Sequence, residues 1–162
     1  MEMSLPFSRP WPAGKTAVAE LKDRPESSFP LARRYADKMI AHAREEAPNE
    51  CCGILAGPAN EGRVEKLYHG INAEKSPVRY NIDPQQLLSI HEETEAKGWA
   101  ILGIYHSHTH TEAFPSATDV RLAFWPDSTY LIISLKEQGE PVIRAFSIRD
   151  GRIEEKQVVI GE

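Results

Sequence analysis

Hydrophobic and polar positions follow different periods in successive segments of this chain. Over residues 31–47 apolar side chains recur every four positions with charges between them, which predicts an amphipathic helix that Pro48 ends. The short apolar runs at 50–57 and 99–108 are typical of buried strands. Residues 63–70 alternate between polar and apolar, and we expect them to pair with the first of these strands.

Residues typical of helix ends predict a second helix within residues 82–98. Asp83 can cap its first turn, Pro84 suits its first position and Gly98 suits its end. A short helix is predicted from Ser116, which can serve as its N-cap. Three more strands are predicted at 129–135, 142–148 and 152–160, and the turn sequence Arg-Asp-Gly joins the last two as a hairpin. This order of elements predicts a mixed α/β fold, with a single mixed β-sheet flanked by helices.

The first 30 residues differ in composition from the rest. They contain five of the chain's twelve prolines, so neither a helical nor a strand period can persist there. We therefore predict an N-terminal arm at residues 1–30 and one domain at 31–162. Two interpretations of the arm remain open: it is loosely ordered, or it packs through Phe7, Trp11 and Phe29 on the domain or on a second subunit, which leaves a homodimer open.

Composition narrows the class of protein. The chain has 162 residues, 41% of them hydrophobic, which is enough for one domain with a core. Its formal charge of −5 argues against a nucleic-acid partner. We see no apolar run long enough to span a membrane and no secretory signal, and the two cysteines are adjacent, which disfavours a disulfide. These features predict a soluble, cytoplasmic protein without a membrane or nucleic-acid partner.

A cluster of histidines carries the clearest chemical signal. His106 and His108 are two residues apart on a predicted strand, so both project from one face. Asp119 falls in the first turn of the helix that Ser116 begins, from where its carboxylate can turn toward the end of the strand. Two imidazoles and one carboxylate suit Zn²⁺ and leave a fourth position for water, as in catalytic zinc sites. We predict one zinc ion per chain, held by these three residues.

Two further residues complete the predicted chemistry. Glu50 begins a buried apolar run, where a carboxylate is costly unless it has a partner or a task, and it is the candidate proton acceptor. Ser116 can donate a hydrogen bond to a developing oxyanion. Structural alternatives exist for each: Glu50 as a surface charge at a strand edge, Ser116 as a helix cap, Asp119 as part of a capping turn, and His110 as a solvated loop residue.

The motif Glu50, His106-x-His108, seven residues, Ser116-x-x-Asp119 resembles the metal signature of the JAMM/MPN-domain metalloproteases. The resemblance covers about residues 31–160 and implies a curved sheet in the MPN or cytidine-deaminase-like layout. It further implies zinc bound by the two His and the Asp, with the Glu as acid/base and the Ser at the oxyanion. Members of this family are zinc isopeptidases that cut after the C-terminal glycines of ubiquitin-like proteins.

A finer resemblance concerns the substrate. The segments YNIDPQQLL, PSATDVRLAF and WPDSTYLIISL look similar to bacterial members that release cysteine from a sulfur-carrier protein of ubiquitin-like fold. The resemblance therefore implies a ubiquitin-like or sulfur-carrier protein as substrate, bound through its C-terminal tail. One position departs from the bacterial pattern: Thr109 stands where Pro is usual after the second His, so substrate fit beside the cleft can differ.

Two other functions compete with a peptidase. A non-catalytic MPN scaffold that binds proteins is the main alternative, although the complete ligand set argues against it. A small-molecule zinc deaminase ranks lower because it needs His-x-Glu and Pro-Cys-x-x-Cys, and the adjacent Cys51 and Cys52 lack the two-residue gap.

Overall fold

A computed structural model describes residues 27–137 and 139–162 of the chain. Within them lie seven strands: β1 (Ser28–Ala32), β2 (Cys52–Pro58), β3 (Lys66–His69), β4 (Trp99–His108), β5 (Thr129–Ser134), β6 (Val142–Arg149) and β7 (Arg152–Gly161). The helices there are α1 (Arg33–Glu46), α2 (Pro84–Lys97) and α3 (Ala117–Arg121). In this part of the chain, no helix combines the length and the apolar character needed to cross a membrane.

The strands form one curled mixed sheet in the order β1-β7-β6-β5-β4-β2-β3. The pairs β4–β5 and β1–β7 are parallel, and the other neighbours are antiparallel. The hairpin between β6 and β7 turns at Asp150 and Gly151, whose φ angles of 49° and 78° are those of a two-residue hairpin turn. The predicted mixed α/β sheet flanked by helices is thereby confirmed.

The sheet is covered on both faces, which buries its central strands. On one face α1 packs through Tyr35 and Met39 against apolar side chains of the sheet such as Leu131. On the other face Leu87 and Ile90 of α2 join a second apolar cluster. Because both faces are apolar, β4 and β5 consist almost entirely of buried residues.

The caps of α2 agree with the sequence prediction. The Asp83 carboxylate accepts a hydrogen bond from the backbone N–H of Gln86 at 3.1 Å, and Pro84 occupies the first helical position. Gly98 ends the helix with a φ of 69°, in the left-handed region that glycine adopts without strain. The polypeptide then enters β4 directly, so this cap sets where the histidine-bearing strand begins.

Strand β1 includes Ser28–Pro30, the last residues of the predicted arm, so these three residues belong to the sheet. β1 pairs in parallel with β7, and Phe29 is buried in the apolar cluster on the α1 side. Strand β1 lies at the edge of the sheet, where only one side of the strand is hydrogen-bonded to a neighbour. Pro30, which lacks a backbone N–H, is therefore tolerated there. The prediction for Phe7 and Trp11 lies outside the described residues.

Behind β4, a buried polar pair fixes the strand against α1. The Nδ1 atom of His42 lies 2.8 Å from the Tyr105 hydroxyl, and the imidazole of His42 stacks on that of His69 at 4.4 Å. The Tyr105 ring lies directly over Gly53 in β2, since a Cβ at that position would come within 2.1 Å of the ring. Glycine is required here because the ring occupies the space of a side chain.

Candidate metal centre

The last residues of β4 present two imidazoles on the same face of the sheet. His106 and His108 are both almost fully buried, and they lie two positions apart, as the strand period requires. Ser107 between them faces the other way, and its hydroxyl accepts a hydrogen bond from the backbone N–H of Cys51 at 2.8 Å. This bond ties the histidine strand to the segment that leads into β2.

Helix α3 brings a carboxylate to the two imidazoles. Its N-cap is Ser116, whose Oγ accepts a hydrogen bond from the Asp119 N–H at 3.0 Å. The Asp119 Oδ2 in turn accepts one from the Ser116 N–H at 2.8 Å, which completes a capping box. The box fixes the carboxylate close to the helix start, where it reaches the end of β4.

Three potential ligand atoms converge at this point. The Nε2 atoms of His106 and His108 are 3.1 Å apart, and Asp119 Oδ2 lies 3.2 Å and 3.1 Å from them. Ligand atoms on a tetrahedral zinc with bonds of about 2.0–2.1 Å stand roughly 3.3 Å apart. Among the described residues, His106, His108 and Asp119 form a group of His and Asp side chains whose ligand atoms lie close enough together to hold one metal ion. The spacing and the donor types therefore fit Zn²⁺.

The environment also sets the protonation of the three groups. Burial lowers the pKa of His106, which keeps its imidazole neutral and able to ligate. For His108 burial acts in the same direction, but hydrogen bonds to Asp119 and to the Glu112 carbonyl outweigh it and raise the pKa. Burial favours protonation of Asp119, but its hydrogen bonds to the histidines hold its pKa far below the ordinary value, so it is a carboxylate.

The two imidazoles are oriented in different ways. His108 Nδ1 lies 2.9 Å from the Glu112 carbonyl, and donating there fixes the tautomer in which Nε2, which faces Asp119, carries the lone pair that can bind a metal. His106 Nδ1 is buried and has no hydrogen-bond partner among the described residues. Instead, the ring of Tyr80 stacks on the imidazole of His106 with centroids 4.4 Å apart.

Glu50 lies beside this group, two residues before β2 begins. Its side chain is buried, and its Oε1 has no hydrogen-bond partner in the described part of the chain. Burial raises the pKa of Glu50 to about 8; the His108 charge opposes this rise and the Asp119 charge adds to it. A carboxyl group with a pKa near neutrality can accept a proton and give it up again.

A loop between β3 and α2 holds Glu50 in place through Asn72. The Asn72 side-chain amide donates to the carbonyls of Glu50 at 3.0 Å and Arg79 at 3.1 Å. Its oxygen accepts from the backbone N–H groups of Glu74 at 3.0 Å and Asn81 at 3.1 Å. One side chain thus joins the backbone of Glu50 to the residues on either side of Tyr80.

The structure therefore brings together all five residues that the sequence singled out, and it adds Asn72 and the stacking role of Tyr80. Sequence reasoning missed Asn72 because its partners lie as many as 22 positions away, and nothing in the local pattern distinguishes it from a loop asparagine. Ser116 also serves as the N-cap of α3, as predicted, through the hydrogen bond that its Oγ accepts from the Asp119 N–H. That bond uses the hydroxyl oxygen as acceptor and leaves the hydroxyl proton available.

Comparison with known proteins agrees with this geometry. Residues 32–149 match the family described as prokaryotic homologs of the JAB domain. The chain is 41% identical over 124 residues to a CysO-cysteine peptidase of Mycobacterium tuberculosis, covering 76% of this chain and 85% of that one. It is 40% identical over 113 residues to a desampylase of Haloferax volcanii, covering 67% and 81% of the two chains.

The fold also matches a solved structure. A JAB1/MPN domain protein from Archaeoglobus fulgidus superposes with a TM-score of 0.52 at 18% identity, over 82% of this chain and 99% of the other. At this identity the likeness concerns the fold alone, and it agrees with the curled mixed sheet.

Proposed function

Because this chain belongs to the prokaryotic homologs of the JAB domain, we propose that it is a zinc-dependent peptidase of the JAMM type. Its substrate is a ubiquitin-like or sulfur-carrier protein, and the bond cut is the amide after the C-terminal Gly-Gly. The names of its peptidase and desampylase relatives support the substrate class. The observation that carries the proposal is the convergence of two imidazoles and a carboxylate beside a buried Glu50 whose Oε1 has no hydrogen-bond partner among the described residues.

His106, His108 and Asp119 would hold the metal, one ion per chain. When bound, zinc would supply Lewis acidity, which lowers the pKa of a water molecule to about 7 and polarises a peptide carbonyl. The three residues supply a rigid, buried frame, because a strand holds two of them and a capped helix holds the third. Such a frame needs little rearrangement on binding, which favours both affinity and a defined geometry.

Glu50 moves the proton in the proposed reaction. A water molecule adds its oxygen to the carbonyl carbon of the terminal glycine, and Glu50 accepts the proton that the water loses. Glu50 then gives this proton to the leaving nitrogen as the carbon–nitrogen bond breaks. The second proton of the water also ends on the leaving nitrogen, so the products are the free carboxylate of the carrier tail and a protonated amine, and no oxidant or reductant is consumed.

Ser116 stabilises the oxygen of the scissile carbonyl while charge develops on it. The hydroxyl proton is available for this because the capping bond uses only the oxygen. Removing one such donor costs roughly 3 kcal/mol in other enzymes, or about a hundredfold in rate. We therefore assign Ser116 two roles: it caps α3, and it donates to the oxyanion.

The test uses the full chain loaded with zinc and a carrier protein extended beyond its Gly-Gly terminus. Wild type should release the extension, and a chelator should stop the reaction. The Glu50→Gln variant should keep its zinc and lose turnover by a factor of about 10³ or more, since general acid–base catalysis contributes about 10²–10⁴.

Two results would contradict this proposal. Protein that binds no zinc even after reconstitution would favour a non-catalytic MPN scaffold. Near-normal turnover by Glu50→Gln with zinc bound would show that another group moves the proton.

A further inference from the structure

The two imidazoles of the metal centre differ in what fixes the plane of the ring. A strand fixes the backbone of His106 and His108 but leaves rotation about χ2, for which histidine has only a broad preference. For His108, the bond from Nδ1 to the Glu112 carbonyl at 2.9 Å removes this freedom. Among the described residues, the polar contacts of the His106 ring are made by Nε2, the ligand atom itself, while its buried Nδ1 has no partner. Any contact from outside the ligand set that fixes this ring is therefore non-polar.

The aromatic ring of Tyr80 makes such a contact. It lies over the His106 imidazole with centroids 4.4 Å apart and planes only 19° from parallel. The ring of His108, by contrast, meets the same imidazole nearly edge-on, at 5.0 Å and 61°. A nearly parallel partner covers the face of the imidazole and resists rotation about χ2, because rotation would drive the edge of one ring into the other.

Backbone hydrogen bonds anchor the segment that carries Tyr80. The Ala73 N–H donates to the Asn81 carbonyl at 2.8 Å, and the Asp83 N–H donates to the Ile71 carbonyl at 2.9 Å. The side chain of Tyr80 is half-buried and packs against the apolar cluster on the α2 side of the sheet. The ring is thus held by its own backbone and by the core, so it can serve as a fixed surface for the imidazole.

We propose that Tyr80 is a positioning residue of the metal centre, and that its ring holds the His106 imidazole in the plane from which Nε2 faces Asp119. This inference rests on the proposed function, in which His106 binds zinc. The stack takes the place of the hydrogen bond that usually orients a metal-binding histidine through its second nitrogen. It also favours the loaded state, because an imidazole that shares the charge of a bound cation is attracted to the face of an electron-rich ring.

The first test measures zinc affinity by competitive titration. Tyr80→Leu keeps apolar bulk but removes the ring, and it should weaken zinc binding about tenfold or more, as when the partner that orients a metal-binding histidine is removed. Tyr80→Phe keeps the ring and should bind zinc as tightly as wild type. Tyr68→Leu is the matched control, because Tyr68 is also half-buried against the same apolar cluster but lies on β3, which β2 separates from the histidine strand. This control should leave zinc affinity unchanged.

NMR of the metal-free protein gives a readout independent of turnover. In wild type and Tyr80→Phe, the imidazole of His106 should give one sharp set of signals, shifted to high field by the ring current of the stacked ring. In Tyr80→Leu, the His106 signals should broaden or split as the imidazole samples other planes. The His108 signals should stay sharp in every variant, because the bond to the Glu112 carbonyl is kept.

Turnover with excess zinc separates positioning from contact with substrate. A positioning role predicts that Tyr80→Leu lowers kcat about tenfold or more and leaves KM unchanged. A raised KM with unchanged kcat and zinc affinity would show that Tyr80 contacts the carrier tail instead, and it would overturn the inference. Equal losses of zinc affinity in Tyr80→Leu and Tyr68→Leu, or one sharp set of His106 signals in Tyr80→Leu, would do the same. If wild type binds no zinc, the proposed function fails, and the NMR comparison alone decides whether Tyr80 positions His106.

Discussion

Replacing Asn72 by Asp tests whether the loop between β3 and α2 positions Glu50. Asp has the same shape as Asn but lacks the two N–H donors. The bonds to the carbonyls of Glu50 at 3.0 Å and Arg79 at 3.1 Å are lost, while the oxygen that accepts from the loop N–H groups is kept. The change therefore removes the side-chain link from Asn72 to Glu50, and it leaves both the turn and the hydrogen bond from the Glu50 N–H to the Ser76 carbonyl at 2.8 Å.

The magnitude follows from those two bonds. Each hydrogen bond contributes about 1 kcal/mol net, so the substitution should cost about 2 kcal/mol. If Glu50 needs this link to stay aligned, the same energy appears as a loss in kcat of about thirtyfold. Zinc affinity should change little, because the three ligands come from β4 and α3 and none of them bonds to Asn72.

The assay is steady-state cleavage of the extended carrier protein, with zinc content measured on the same samples. Asn49→Asp is the matched control: it places the same charge next to Glu50, and the Asn49 side chain makes no hydrogen bond within the described residues. A kcat within twofold of wild type for Asn72→Asp would refute the positioning role. An equal loss in Asn49→Asp would show that the added charge, and not the lost link, is responsible.

Three further predictions concern the frame around the centre. Ser116→Ala removes the acceptor for the Asp119 N–H, so it should lower the free energy of unfolding by about 1 kcal/mol and weaken zinc binding in a competitive titration. Gly53→Ala places a Cβ 2.1 Å from the Tyr105 ring and should lower the free energy of unfolding by about 1–3 kcal/mol, as measured by denaturant titration. Burial, aided by the His69 charge, lowers the pKa of His42 below its ordinary value of 6.5, so the unfolded chain takes up this proton first. The contribution of His42 to the free energy of unfolding should be constant above about pH 6.5 and fall below it, so the difference in stability between wild type and His42→Phe should change with pH below about 6.5; a difference that does not depend on pH would exclude this role for His42.

The local parts of the centre could be predicted from the sequence because short-range geometry fixes them. A strand places residues two apart on one face, so His106 and His108 had to project together wherever β4 lay. A helix start places an N-cap and the residue three positions later in contact, which gave the Ser116–Asp119 capping box. The caps of α2 and the hairpin turn follow the same logic, since each depends on a few neighbouring residues.

β1 could not be predicted from the sequence, for an equally physical reason. Its residues include Pro30 and follow a proline-rich segment, so the local pattern argues against a strand. What stabilises it is parallel pairing with β7, some 130 positions away, with Phe29 buried beneath α1. Such a pairing is decided by the edge that the folded sheet leaves open, which no local pattern contains.

The sequence by itself determined which side chains can carry the chemistry, because ligand type and spacing along a strand or a helical turn are local properties. Only the tertiary structure decided how they meet. It placed Asp119 within 3.2 Å of both imidazoles and tied the backbone of Glu50 to Asn72. These relations join segments that are distant in the chain, and they depend on how the sheet curls and which loops it brings together.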